Sequence, residues 1–143
     1  MEKLEWDDGF KIGFNEIDQH HKRLFGLFEK AHDGFMNGTP DIGYILDELV
    51  AYTRYHFTSE EVWMMDKFYP EVEKHKREHN SFLLRVKRKQ ESFKSGQEHI
   101  SMGTLLFLRE WIVDHILNTD AEFGKFIKES GALKKDSAVK REA

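Results

Sequence analysis

Residues 42–64 read IGYILDELVAYTRYHFTSEEVWM, and the periodicity of this stretch decides the fold class. Apolar side chains recur every three or four residues from Ile42 to Met64, which is the spacing of one face of an α-helix. His56 and Glu60 fall on that same face, four residues apart. The stretch therefore predicts an amphipathic helix that carries two polar side chains on its buried side.

The same helical periodicity returns in three other segments, at residues 17–35, 72–86 and about 101–130. Turn-forming residues separate the segments, among them the run Gly38-Thr39-Pro40-Asp41. Long helices joined by short turns favour antiparallel neighbours. The sequence thus predicts an all-α fold, an antiparallel up-down-up-down four-helix bundle.

The N-terminal residues follow a different period. Phe10, Ile12 and Phe14 alternate with Lys11, Gly13 and Asn15, a period of two. This pattern predicts an extended N-terminal arm, residues 1–16, laid over an apolar surface of the bundle.

The C-terminal residues 132–143 contain little that could be buried, and we expect a disordered tail there. The predicted domain is then a single four-helix bundle over residues 1–131, which includes the arm.

Composition narrows the function classes. The 143 residues correspond to one domain and include no Cys, which excludes disulfide scaffolds, thiolate zinc fingers and cysteine nucleophiles. A net charge of −4 argues against a nucleic-acid partner. The longest apolar run, Leu105-Leu106-Phe107-Leu108, is far shorter than the ~18 residues that span a membrane. Because the N-terminus also lacks an apolar signal core, we expect a cytoplasmic protein. The neutral bundle surfaces and the net charge of −4 make a monomer the expected state.

The informative residues are histidines on the predicted apolar faces, because every predicted helix points at least one of them inward. With one carboxylate, the inward set is His21, His56, Glu60, His75, His79 and His115. A single inward histidine is usually a core residue with a hydrogen-bond partner. Six such groups without partners would cost about 2–7 kcal/mol each on apolar-transfer scales. A shared metal centre removes this cost, so the pattern predicts metal binding.

The donor types indicate which metals fit and how many. Imidazole and carboxylate ligands without thiolate suit iron, manganese or zinc. Five histidines and Glu60 exceed the needs of one tetrahedral ion, so we expect two ions and one more bridging carboxylate. Asp120 is the candidate, although its five-residue separation from His115 spans about 140° of an ideal α-helix. The two residues could flank a centre between the helices, or a local bulge could bring them together.

A coordination count favours a binding site over a purely structural one. Two octahedral ions offer about twelve positions. Five histidines, two bridging carboxylates and a bridging oxo or hydroxo group leave about one position open, on the ion with two histidines. An open position is where a small ligand binds.

At this point the sequence resembles the hemerythrin family in its single-domain bacterial form. The resemblance extends from Trp6 to about Ile127. It rests on four motifs: Ile17-Asp18-Gln19-His20-His21, His56-Phe57-Thr58-Ser59-Glu60-Glu61, His75-Lys76-Arg77-Glu78-His79, and Trp111-Ile112-Val113-Asp114-His115 with Asp120. One departure is His20, where many relatives carry Gln, and we expect it to alter at most the hydrogen bonding behind the ligands.

The resemblance implies a non-haem di-iron (Fe2+/Fe3+) centre that binds O2 reversibly, for storage, delivery or scavenging, and no enzyme activity. It places His75, His79 and His115 on one iron and His21 and His56 on the other. Glu60, Asp120 and an oxo or hydroxo group would bridge the two irons. Spacing and resemblance together predict an O2 pocket lined by Leu24, Phe57, Trp111, Ile112 and Ile116.

Other functions compete for the same residues. The string His75-Lys76-Arg77-Glu78-His79 is formally the H-x-x-E-H signature of a zinc peptidase, but that enzyme gives His56 and Glu60 no role. A ferritin-like oxidase needs two Glu-x-x-His motifs, and only Glu29-Lys30-Ala31-His32 fits. A di-iron oxidase or peroxidase, or an oxygen or redox sensor on the same scaffold, remains the alternative.

Overall fold

The computed structural model describes residues 4–131, and four long helices account for most of them. The first three are α1, α2 and α3, at Asn15–Met36, Ile42–Asp66 and Val72–Ser95. The fourth helix comprises α4, a π segment, α5 and a final π-helical turn, at Met102–Asp114, His115–Asp120, Ala121–Phe126 and Ile127–Gly131. The described residues contain no strand, which confirms the all-α prediction.

Short connections hold the helices antiparallel. Residues 37–41, 67–71 and 96–101 join successive helices, and α1 packs on α2 and α4 while α2 packs on α3. The predicted up-down-up-down bundle is therefore confirmed. No helix in the described part of the chain is both long and apolar enough to cross a membrane.

Local sequence explains where helices end and begin near the third connection. Gly96 ends α3 in the left-handed conformation (φ 80°), which glycine adopts without steric cost. Ser101 then caps α4: its hydroxyl accepts from the Thr104 N–H, and the Thr104 hydroxyl accepts from the Ser101 N–H. These two signals fix the entry of the helix that carries His115 and Asp120.

The N-terminal arm confirms the predicted alternation, with one difference. Ile12 is buried, and Phe10 packs edge-on against Phe25 at 4.6 Å, while Lys11 is exposed. The arm is not extended throughout, because Asp8–Phe10 form a 3-10 turn. A two-residue period cannot reveal such a turn, which depends on the Asp7 carboxylate accepting from the Gly9 N–H at 2.7 Å.

Two residues that the sequence pattern did not single out fix the arm on the bundle. Asp18 is buried, and its carboxylate accepts from the N–H of Ile12 at 2.8 Å and of Gly13 at 3.3 Å. Gly124 lies so close to the arm that a Cβ there would overlap the carbonyl oxygen of Ile12. The predicted tail, residues 132–143, lies outside the described residues.

The core consists of two apolar clusters. The arm-side cluster contains Ile12, Ile17, Met64, Tyr69 and Phe123. The main cluster is larger and contains Leu4, Leu24, Phe25, Leu27, Phe28, Ala31, Leu46, Leu49, Val50, Phe57, Phe82, Val86, Leu105, Leu108, Ile112 and Ile116. α1, α2 and the fourth helix contribute residues to both clusters, and Val72 at the start of α3 packs against the arm-side cluster. All four helices therefore share the layer between the two clusters.

Candidate metal centre

The predicted ligands occupy the layer between the two apolar clusters. On α1, for example, His21 lies one turn after Ile17 of the arm-side cluster and one turn before Phe25 of the main cluster. All seven side chains are buried, with exposures from 0% to 5%: His21, His56, Glu60, His75, His79, His115 and Asp120. The structure thus brings together every ligand that the sequence predicted.

The π segment accounts for the pair whose spacing did not suit an ideal helix. His115 begins this segment and Asp120 ends it. A π-helix pairs residue i with residue i+5, so residues five apart lie one turn above each other. His115 Nε2 is 3.0 Å from Asp120 Oδ1. Of the two geometries left open by the sequence, the structure contains the local bulge.

Glu60 turns one oxygen toward each of two histidine groups. Its Oε2 is 3.5 Å from His56 Nε2 and 4.0 Å from His21 Nε2. Its Oε1 is 3.3 Å from His79 Nε2 and 3.7 Å from His115 Nε2. The carboxylate therefore lies between the two groups.

Asp120 repeats this arrangement from the fourth helix. Its Oδ2 is 2.8 Å from His21 Nε2, and its Oδ1 is 3.0 Å from His115 Nε2 and 3.3 Å from His75 Nε2. Two sets of four side chains consequently form, and within each set the donor atoms lie within 4.8 Å of one another. One set is His21, His56, Glu60 and Asp120, and the other is Glu60, His79, His115 and Asp120. The two carboxylates are common to both sets.

The electrostatics of the layer fit bound cations. Burial raises the pKa of Glu60 well above its usual range, and the nearby Asp120 raises it further. Burial lowers the pKa of His56 well below its usual value. Burial also raises the pKa of Asp120, but the charge of His115 and hydrogen bonds to three histidines lower it more, to well below its usual range. Two acids and an uncharged imidazole in one dry layer are a donor set that divalent ions stabilise.

Unsatisfied polar atoms give an independent test of the fit. Within residues 4–131, both carboxylate oxygens of Glu60 and Nε2 of His56 are buried without a hydrogen-bond partner. Buried polar groups are almost always paired, because an unmade bond costs about 1–3 kcal/mol. The residues present therefore fit metal ions at this site.

Two candidate ligands have hydrogen-bond partners behind them. His56 Nδ1 is 2.9 Å from His20 Nδ1, and His79 Nδ1 donates to Glu61 Oε2 at 2.8 Å. The effect expected for His20 is therefore seen as a contact with a ligand. Glu61 was missed, because its position next to Glu60 in sequence does not show that it reaches across to α3.

Aromatic rings cover the histidines on the side of the main cluster. Phe57 stacks on His79 at 3.8 Å between ring centroids, and Trp111 stacks on His115 at 4.6 Å. Of the predicted O2 pocket, Leu24, Phe57, Ile112 and Ile116 are buried in the main cluster, and Trp111 packs against it. Phe82, stacked on Trp111 at 3.8 Å, belongs to the same wall and was not predicted.

Comparisons with known proteins agree with this geometry. Residues 12–127 match the model of the hemerythrin HHE cation binding domain. A bacteriohemerythrin of Methylococcus capsulatus is 35% identical over 117 residues, 81% of this chain and 88% of that protein. A myohemerythrin of Theromyzon tessulatum is 30% identical over 122 residues, 85% of this chain and 92% of that protein. The match covers all four helices, and the chain belongs to the hemerythrin family.

Solved structures lead to the same family. A crystal structure of wild-type hemerythrin superposes with a TM-score of 0.81 at 32% identity, covering 85% of this chain and 95% of that one. A crystal structure of a hemerythrin mutant gives a TM-score of 0.82 at 32% identity, covering 87% of this chain and 97% of that one. The bundle is thus the fold of the solved hemerythrin structures.

Proposed function

We propose that this chain binds O2 reversibly at a centre of two irons. The observation that carries the proposal is the position of the two carboxylates, since Glu60 and Asp120 each direct one oxygen to each histidine group. Carboxylates in this position would suit two ions rather than one. Membership of the hemerythrin family supports iron as the metal and O2 as the ligand.

The proposed ligands divide into two unequal groups. His75, His79 and His115 hold one iron, while His21 and His56 hold the other. The donor sets around Glu60 and Asp120 support this division. His21 and His56 lie on one side of the two carboxylates, and His79 and His115 lie on the other. An iron held by only His21 and His56 would have one position open for a small ligand.

When bound, two irons would supply the reversible two-electron redox chemistry that O2 binding requires. The chain supplies the environment in which this exchange is reversible. His20 and Glu61 orient the rings of His56 and His79, so that Nε2 of each ring faces the centre.

The apolar wall is the second contribution of the chain. We propose that Leu24, Phe57, Trp111, Ile112 and Ile116 line the O2 pocket, which their place in or against the main cluster supports. Such a wall excludes water and protons, which would otherwise promote irreversible oxidation of the irons. We infer a binding protein for oxygen storage, delivery or scavenging rather than an enzyme; the cytoplasmic location and monomeric state stay predictions.

An optical titration of the reduced, iron-loaded chain with O2, followed by removal of O2 under vacuum, tests this function. We expect two irons per chain and a charge-transfer band that appears with O2 and disappears when O2 is removed. A band that decays to a ferric spectrum and is not restored under vacuum would instead indicate an oxidase, a peroxidase or a redox sensor. Zinc in place of iron would contradict the proposed cofactor.

A further inference from the structure

A second site lies at the end of the bundle remote from the metal layer. There the α1–α2 and α3–α4 connections border an open cavity of about 640 Å3. Its wall is mostly apolar, with three phenylalanine rings, from Phe35, Phe93 and Phe107. Neither the seven candidate ligands nor the five residues of the proposed O2 pocket line it. The cavity is thus separate from the site already described.

Open space adjoins two glycines at this end of the bundle. Gly38 and Gly43 both line the cavity, and a Cβ added at either would meet no atom within 4 Å. The opposite end is filled by rings, with Tyr69 packed 5.0 Å from Phe126. Cavities of roughly 300–1,000 Å3 with apolar walls and a few polar groups are typical of small-molecule sites. Size and lining therefore suit a mainly aliphatic ligand.

The charged groups at the rim indicate the sign of the ligand's head group. Two acids and two lysines line the cavity, and three of these four groups have a close partner: Asp47 accepts from Gln90 at 2.8 Å, and Glu98 pairs with Lys89 at 3.1 Å. Lys94 is 3.9 Å from Asp47, and its side chain is 70% exposed. A cation would have to compete for acids already engaged. An anion can recruit the loosely paired lysine.

We propose that this cavity binds an amphiphilic carboxylate, with its aliphatic chain against the phenylalanine rings and its head group at Lys94. The proposal does not depend on the oxygen chemistry, because the two sites share no lining residue. Apolar burial provides most of the affinity, about fourfold for each buried methylene. The lysine selects the head group.

Calorimetric titration of the iron-loaded chain with decanoate tests the proposal, with decanol and decylammonium as ligands of the same chain length. We expect one decanoate per chain, bound about fivefold more tightly than decanol and still more tightly than decylammonium. Acetate, which has the head group without the chain, should neither bind nor compete. Equal binding of all three decyl compounds, or competition by acetate, would overturn the proposal.

Matched variants locate the site. Ile100→Trp adds bulk to a half-buried wall residue and should abolish decanoate binding, whereas Ile127→Trp, half-buried at the other end, should leave it unchanged. Far-UV circular dichroism checks that both variants fold. Undiminished binding by a folded Ile100→Trp variant would place the ligand elsewhere and refute the assignment.

A charge reversal tests the head-group contact without touching the core. Lys94→Glu should weaken decanoate about tenfold and leave decanol unchanged, because it replaces attraction with repulsion. Lys125→Glu is the control, since its side chain is 76% exposed at the opposite end. An equal loss in both variants would mean a general effect of net charge and would contradict the contact with Lys94.

Discussion

His56 and His79 face the same carboxylate and are supported from behind by different groups. Their Nε2 atoms lie 3.5 Å and 3.3 Å from the two oxygens of Glu60. Behind His79 is the carboxylate of Glu61, and behind His56 is the imidazole of His20. Two ligands with nearly the same inner geometry thus differ in their outer partner.

The outer partner fixes how firmly each ring holds its proton on Nδ1. Glu61 can only accept when ionised, so it holds the His79 proton on Nδ1 and makes Nε2 a better donor to a metal. His20 can accept at Nδ1 only when its own proton is on Nε2. Burial, and after it the charge of His21, lowers the pKa of His20, which favours the neutral ring that this contact needs.

The difference corresponds to the proposed division of labour between the irons. The carboxylate lies behind His79, a ligand proposed for the three-histidine iron. The neutral imidazole supports a ligand of the two-histidine iron, where the open position is proposed. Substitutions at Glu60, Glu61, His20 and Phe57 would test this difference, and we expect the largest effect at Glu60.

Glu60→Gln removes the carboxylate that both histidines face. We expect no more than one iron per chain by elemental analysis, because the bridge between the two donor sets is lost. Glu73→Gln, on an exposed side chain of α3, should keep both irons. Two irons in the Glu60 variant would contradict the bridging role.

The same variant should stabilise the metal-free chain. The pKa of Glu60 is raised in the folded state, so the folded chain keeps a proton that the unfolded chain releases above pH 4.5. The contribution of Glu60 to wild-type stability therefore decreases as pH rises above that value, and Gln avoids this loss. We expect a gain of about 0.5–2 kcal/mol at neutral pH in urea unfolding, disappearing at lower pH.

Glu61→Ala removes the acceptor behind His79. Loss of such an outer partner lowers metal affinity about ten- to a hundredfold, measured by competition with a chelator. Glu61→Gln retains an oxygen acceptor and should recover most of the affinity. If the Ala variant binds metal as tightly as wild type, the contact does not support the ligand.

His20→Phe removes the acceptor behind His56 and keeps a ring against Tyr55 and Trp63, which lie 5.4 Å and 5.1 Å away. We expect about a tenfold loss of metal affinity, at the lower end of the range, because a neutral acceptor contributes less than a carboxylate. His20→Gln should bind metal close to the wild-type affinity. A loss larger than that of Glu61→Ala would reverse the comparison.

Phe57→Leu tests whether His56 and His79 also differ in how an aromatic ring packs against them. Phe57 stacks parallel to His79 at 3.8 Å but is tilted 50° to His56 at 6.0 Å. We expect a loss of about 1–2 kcal/mol in stability, and larger changes in the NMR shifts of the His79 ring than of the His56 ring. Equal changes in both rings would show that the stacking has no special role.

The candidate ligands differ in how well the sequence alone predicts their positions. His56 and Glu60, like His75 and His79, are four residues apart on regular helices, so the α-helical period was sufficient. The position of Asp120 could be assigned only from the family resemblance or from the structure, because it depends on a π segment. Glu61 could not be predicted, since its contact with His79 depends on the packing of α2 against α3.

Local periodicity and residue chemistry were sufficient to predict the four helices, the connections between them, the polar layer and the donor types. How the groups meet depends on tertiary structure: the π segment that begins at His115, the carboxylates between the histidine groups and the partners behind His56 and His79. It also decided the close contact of the arm with Gly124 and the cavity at the far end. These features depend on the distances between helices, and the spacing of residues along one helix gives no information about those distances.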